Sequence, residues 1–90
     1  MANGSVELIG QNVVLDTAGP LVYLGTLDAV TDEGFWLRDA DVHNRTDGHA
    51  NNELYVLEAS RDGIRINRRR VLVMRSAVTS LSPLDAAWAE

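Results

Sequence analysis

The 90-residue chain contains no cysteine and no lysine, only two prolines, and few aromatic side chains. The missing cysteine excludes a disulfide framework and a thiolate metal site. The missing lysine makes every cationic side chain except histidine a guanidinium, which suits fixed, bidentate contacts better than diffuse attraction. No apolar run approaches the roughly 18 residues that a transmembrane helix needs. The opening MANGSVELIG lacks the basic start and long apolar centre of a secretory signal, so a soluble cytoplasmic protein is expected. A single domain over 1–90 is expected too, because so few apolar side chains cannot fill two cores. A core this small without staples is commonly supplemented by subunit assembly.

The formal net charge of −5 argues against coating nucleic acid by charge alone. The charge is unevenly spread. Residues 28–62 carry most of the acids, whereas residues 61–75 hold six of the eight basic residues: Arg61, Arg65, Arg68, Arg69, Arg70 and Arg75. An acidic body with one arginine-rich segment fits an ordered ion-pair interface at least as well as an RNA groove.

The hydropathy pattern is that of strands. After a lead-in over 1–10, Asn12–Asp16 reads as a strand with Val13 and Leu15 on one face and Val14 on the other. Thr17–Pro20 is a turn. Leu21–Val42 is rich in β-branched and aromatic residues and reads as two strands joined at Asp32-Glu33-Gly34. Gly25 interrupts the first of them, where a missing side chain permits a kink or a close backbone approach. Leu21, Tyr23 and Leu27 alternate with Val22, Leu24 and Val30, so both faces of this strand are expected to be covered. Residues 43–52, HNRTDGHANN, form a polar surface loop. Glu53–Asp62 fits a helix capped by Asn51 or Asn52, closed by Gly63 and braced by a Glu58–Arg61 pair. It also fits a hairpin around Asp62-Gly63, although the helix is preferred. Val71–Met74 is an apolar strand, Arg75-Ser76 a very short turn, and Ala77–Ser82 a fifth strand stopped by Pro83. The tail, 84–90, fits a helical turn with Trp88 as a docking contact. The expected fold is mainly all-β: a small, strongly bent, five-stranded antiparallel barrel with a short inserted helix or hairpin around 53–62.

Several constellations could carry chemistry. Asp39, Asp41 and His43 alternate along a strand and so share a face about 6.5–7 Å apart, with His49 and Glu53 as further candidates for a metal. Their spacing matches no metal motif, and a solvated acidic face is the preferred reading, with no metal and no cofactor expected. Tyr23, Phe35 and Trp36 could stack bases, but fit a barrel core and subunit contact better. No nucleophile–base spacing, phosphate loop or paired-carboxylate signature is present, so the expectation is a binding protein and not an enzyme.

Gly25-Thr26-Leu27, Val30, the acidic turn, Phe35-Trp36-Leu37 and Asp39 resemble the first motif of the Sm-like (LSm) family. Val71–Val78, followed by Leu81-Ser82-Pro83, resembles the second, and the short last turn is closest to the bacterial Hfq branch. The resemblance covers residues 11–42 and 71–83, and other SH3-like barrels share part of it. It implies a homo-oligomeric ring in which the fourth strand of one subunit pairs with the fifth of the next. Val71, Val73, Val78, Thr79 and Leu81 then line the interface. The family's N-terminal helix is not visible, and residues 43–70 form a longer insertion between the motifs. The resemblance also implies a single-stranded RNA site at the two pore-facing turns, here Thr31, Asp32 and Gly34 with Arg75 and Ser76, helped by Arg68, Arg69 and Arg70. The pattern departs from the family where Thr31 stands in the acidic position, Glu33 in the stacking position, and Ser76 where Gly or His is usual. Only Arg75 keeps its type. Glutamate cannot stack a base, so the alternative is an oligomeric protein-interaction scaffold of the same fold that has lost RNA binding.

Overall fold

The computed structural model describes residues 4–44, 46 and 52–87, except for the side chains of Asn52 and Glu53. A 3-10 turn at Val6–Leu8 comes first among the described elements. Then come β1 (Asn12–Thr17), β2 (Leu21–Val30), β3 (Gly34–Asn44), α1 (Asn52–Asp62), β4 (Arg68–Met74) and β5 (Val78–Pro83). A 3-10 turn, Arg75–Ala77, joins β4 to β5, and another follows at Leu84–Ala86. All pairings are antiparallel, and the strand order is β4-β3-β2-β1-β5. Strands β4 and β5, although joined by one short turn, therefore lie at opposite edges of the sheet.

Bulges bend this sheet. Between Leu24↔Asp41 and Thr26↔Arg38, the single residue Gly25 faces both Asp39 and Ala40. Asp39 takes up the extra length in a left-handed conformation, φ 48°. Gly25 lies so near the bulge that a Cβ there would meet Ala40 Cβ at 3.0 Å, Ala40 Cα at 3.1 Å and the Arg38 carbonyl at 3.2 Å. A second irregularity between Leu27 and Ala29 shifts the alternation. Val30 therefore packs with Leu27 and Tyr23, and not with Val22 and Leu24 as simple alternation implies.

Both faces are covered, for different reasons. Inside the curl, Val13, Leu15, Leu27, Phe35, Leu37, Ala40 and Val73 form the main core, closed by Leu8, Val71, Val78 and Leu81. Outside it, Val14, Val22 and Leu24 pack against Ala59 and Leu84, with Tyr55, Val56 and Ile64 beside them. Segment 53–62 is thus a helix and not a hairpin, and it supplies this second apolar layer. Gly63 closes α1 at φ 99°, donating its N–H to the Ala59 carbonyl at 2.9 Å. The expected Glu58–Arg61 pair does not form among the described residues. The proposed caps rest on Asn51 and on the side chain of Asn52, which, like Trp88, lie outside what the structure describes. Leu15, Leu24, Leu27 and Leu37 are fully buried, each contributing about 2 kcal/mol.

Gly25→Ala is expected to destabilise the fold by about 1–3 kcal/mol, because backbone blocks the new methyl on two sides. Gly19→Ala, which meets nothing within 4 Å, serves as the control. Urea midpoints for the two variants compare them directly, and an unchanged midpoint for Gly25→Ala contradicts the close approach.

Candidate nucleic-acid interface

Two turns meet at one end of the sheet. In the β2–β3 turn, Thr31 donates its N–H to the Gly34 carbonyl at 2.9 Å. Its Oγ1 accepts from the Glu33 N–H at 3.2 Å and the Gly34 N–H at 3.3 Å. A hydroxyl in the position that sequence reasoning marks as usually acidic thus organises the turn as an acceptor. The β4–β5 turn docks beside it through the Arg75 N–H, which donates to the Glu33 carbonyl at 2.9 Å. The guanidinium adds a fork, Nη2 to the Thr31 carbonyl at 2.7 Å and Nε to the Asp32 carbonyl at 3.4 Å. Its centre lies 5.4 Å from the Phe35 ring. Gly34 is buried in the seam, where a Cβ would run into the Val73 carbonyl and come within 2.9 Å of the Arg75 nitrogen.

The structure therefore brings Thr31, Asp32, Gly34 and Arg75 together. Asp32, Glu33, Arg75, Ser76 and Ala77 are exposed at this end. Two acidic residues thus stand beside one arginine whose Nε and Nη2 already face backbone carbonyls.

Arg68–Arg70 do not join this cluster, because they begin β4, whose far end leads into the turn. Arg70 lies 3.6 Å from Asp28 and 4.2 Å over the Trp36 ring, while Arg38 reaches the same carboxylate at 3.5 Å. These groups are substantially exposed, so the pairs contribute little to stability. Arg68 donates to the neighbouring Asn67 carbonyl at 3.0 Å. Phe35 is core and Trp36 lies under Arg70, so with Tyr23 they form no shared stacking platform. Among the expected interface residues, Val73 is buried in its own core, Val71, Val78 and Leu81 are half-buried against it, and Thr79 is exposed.

Asp39, Asp41 and His43 form neither a metal cluster nor a solvated acidic face. Asp39 is exposed at the bulge, whereas Asp41 is 3 % exposed. One Asp41 oxygen accepts from the Tyr55 hydroxyl, and the other from the Asn67 amide at 2.8 Å. The His43 ring stacks on Tyr55 with centroids 3.6 Å apart, and its Nε2 is buried without a hydrogen-bond partner among the described residues. Helix α1 covers this part of β3, which strand alternation alone could not anticipate. Burial, then the hydrogen bond to Asp41 and that carboxylate's charge, push the Tyr55 hydroxyl up to about 12. Asn67 also exchanges bonds with Val42, accepting from its N–H at 3.0 Å and donating to its carbonyl at 3.2 Å. Sequence reasoning missed Tyr55 and Asn67. The i,i+4 spacing of Tyr55 and Ala59 was the available signal for the buried face of α1. No three His, Asp or Glu side chains among the described residues are placed to hold a metal ion. His49 and the side chain of Glu53 lie outside the described residues.

Five antiparallel strands in a bent, open sheet, with β4 and β5 at its edges and two turns locked at one end, define an Sm-like fold. The chain is similar to the Sm protein of Pyrococcus abyssii, solved in complex with a uridine heptamer: TM-score 0.60, 14% identity, covering 87% of this chain and 89% of that one. No protein-family model and no curated protein matches the sequence.

Tyr55 gives a pH-dependent prediction. Its folded-state pKa lies above the ordinary value of 10.0. The folded protein then holds the proton more tightly, and that contribution is complete below pH 10. It is lost as pH rises from there to about 12. Tyr55→Phe should flatten this alkaline decline in urea midpoint, and an unchanged slope contradicts the Asp41–Tyr55 coupling.

Proposed function

We propose that this chain assembles head to tail into a ring and binds single-stranded RNA at the paired turns Thr31–Gly34 and Arg75–Ala77. The observation that supports this most is the Arg75 fork, which holds two loops side by side at the end of a sheet whose edges, β4 and β5, each lack a further strand partner among the described residues. Open edges present unpaired backbone N–H and C=O groups, and a head-to-tail contact that closes satisfies them all. Repetition of the paired turns around the ring would multiply a weak single-site affinity. The similar Sm protein was solved with a uridine heptamer, which makes a uridine-rich strand the first ligand to test. The proposed action is cytoplasmic, non-enzymatic and independent of a cofactor.

One observation favours a second reading, a ring-forming scaffold for other proteins. Two of the Arg75 guanidinium nitrogens, Nη2 and Nε, are engaged by the Thr31 and Asp32 carbonyls, and Asp32 and Glu33 beside them would repel phosphate.

Anisotropy of labelled oligo-U and oligo-A with nuclease-treated protein separates the two readings. Under the RNA reading, binding survives physiological salt and prefers one base. Arg75→Ala weakens it about tenfold, within the range for loss of one contact to a charged group, while Arg61→Ala on α1 leaves it unchanged. Absence of binding even at low salt leaves the scaffold reading in place. The assembly is tested separately by light scattering at micromolar concentration, where a monomer rules out the ring.

A further inference from the structure

One cavity lies away from the paired turns, where the start of β1, the last turn of α1 and the Leu84–Ala86 turn come together. Its volume is about 310 Å³, and Gln11, Asn12, Ser60, Leu84 and Asp85 line it. Leu84, 4 % exposed, packs in one cluster with Ala59 and gives the cavity its apolar wall. The Ala87 N–H donates to the Leu84 carbonyl at 3.1 Å and closes the short turn that presents Asp85. Gln11 donates from Nε2 to the Glu7 carbonyl at 3.5 Å, which leaves its Oε1 as an acceptor. Asn12 accepts at Oδ1 from the Thr26 hydroxyl at 2.9 Å, which leaves its amide N–H groups as donors. Asp85 is exposed and makes no ion pair among the described residues.

We propose that this cavity is a docking site for the arginine side chain of a partner polypeptide. Its charge points to a cation. No basic residue lines it, Asp85 supplies a full negative charge, and Ser60 belongs to the last turn of α1, where the helix carbonyls add a partial one. Arg61, in the same turn, is not among the lining residues. A metal ion is a poor fit: a single carboxylate lines the cavity, and no three His, Asp or Glu side chains among the described residues could hold one. A guanidinium fits better. Its planar fork matches a carboxylate through two N–H donors, and Gln11 Oε1 and the Ser60 hydroxyl offer further acceptors. The methylene stem of an arginine can lie along Leu84. The Asn12 N–H groups need an acceptor, which the backbone carbonyl of a polypeptide provides and a free polyamine does not. Phosphate would be repelled by Asp85, so RNA is not the occupant. None of the lining residues belongs to the Thr31–Gly34 or Arg75–Ala77 turns, so the site stands whether or not those turns bind RNA.

The test is a titration followed by NMR of the isotope-labelled protein, with an end-capped Gly-Arg-Gly peptide as the probe. The same peptide with citrulline for arginine keeps the shape and the carbonyls but lacks the charge. Agmatine keeps the guanidinium but lacks the backbone carbonyl. At millimolar concentration the arginine peptide should shift the amide signals of Gln11, Asn12, Ser60 and Asp85 saturably, and the citrulline peptide should not. Asp85→Asn should weaken binding about tenfold, within the range for loss of a hydrogen bond to a charged group. Asn12→Ala should weaken the peptide and leave agmatine unchanged. The remaining amide signals monitor folding, and Gln11→Ala, which should also weaken the peptide, replaces any variant that does not fold. Absence of shifts at these four residues, or equal binding by wild type and Asp85→Asn, overturns the site. Agmatine binding as tightly as the peptide overturns the polypeptide as its source.

Discussion

The close approach of Gly25 to Ala40 is the constraint on which the rest of the sheet depends. Curling a sheet this small requires one strand to take an extra residue and its neighbour to give way where the two cross. Asp39 supplies the extra residue and Gly25 the space. The bend lets Phe35, Leu37 and Val73 enclose a common core with Val13 and Leu15. It also separates β4 from β5, although only the Arg75–Ala77 turn lies between them, and leaves both as open edges. Two open strand edges are thus a consequence of the same backbone geometry that makes the core.

Arginine serves three separate purposes in this chain. Arg75 is a structural fork between two turns, a role that a lysine ammonium could not reproduce with the same geometry. Arg70 covers Trp36 and shares Asp28 with Arg38. Arg69 faces solvent at an edge, without an ion pair among the described residues. One charge type is thus engaged at three different depths in a chain of net charge −5.

Helix α1 decides how the outer face of the sheet and its polar groups are covered. It buries the outer face of β1 and β2 through Ala59 and Val56 and is tied to β3 by Tyr55. Asp41 and His43 are consequently drawn into a buried polar knot with Asn67 and are not left as a solvent-facing row. A carboxylate that is 3 % exposed is tolerable because both of its oxygens accept hydrogen bonds.

Much of the architecture was legible in the residues themselves. The five strands, the kink at Gly25, the two covered faces and the turn at Asp32–Gly34 follow from local alternation, β-branching and glycine placement, which act over a few residues at a time. The Gly63 stop was legible for the same reason. The choice of helix over hairpin at 53–62 was decided by the apolar layer that Val14, Val22 and Leu24 offer from distant strands. The fate of Val30 depended on a bulge, and the burial of Asp41 on a helix docking onto β3. The engagement of Arg75 depended on two turns 44 residues apart meeting. Sequence by itself determined which segments become strands, because strand preference is local; tertiary structure alone decided which polar groups are spent and which are free, because hydrogen-bond partners are chosen by contact across the fold.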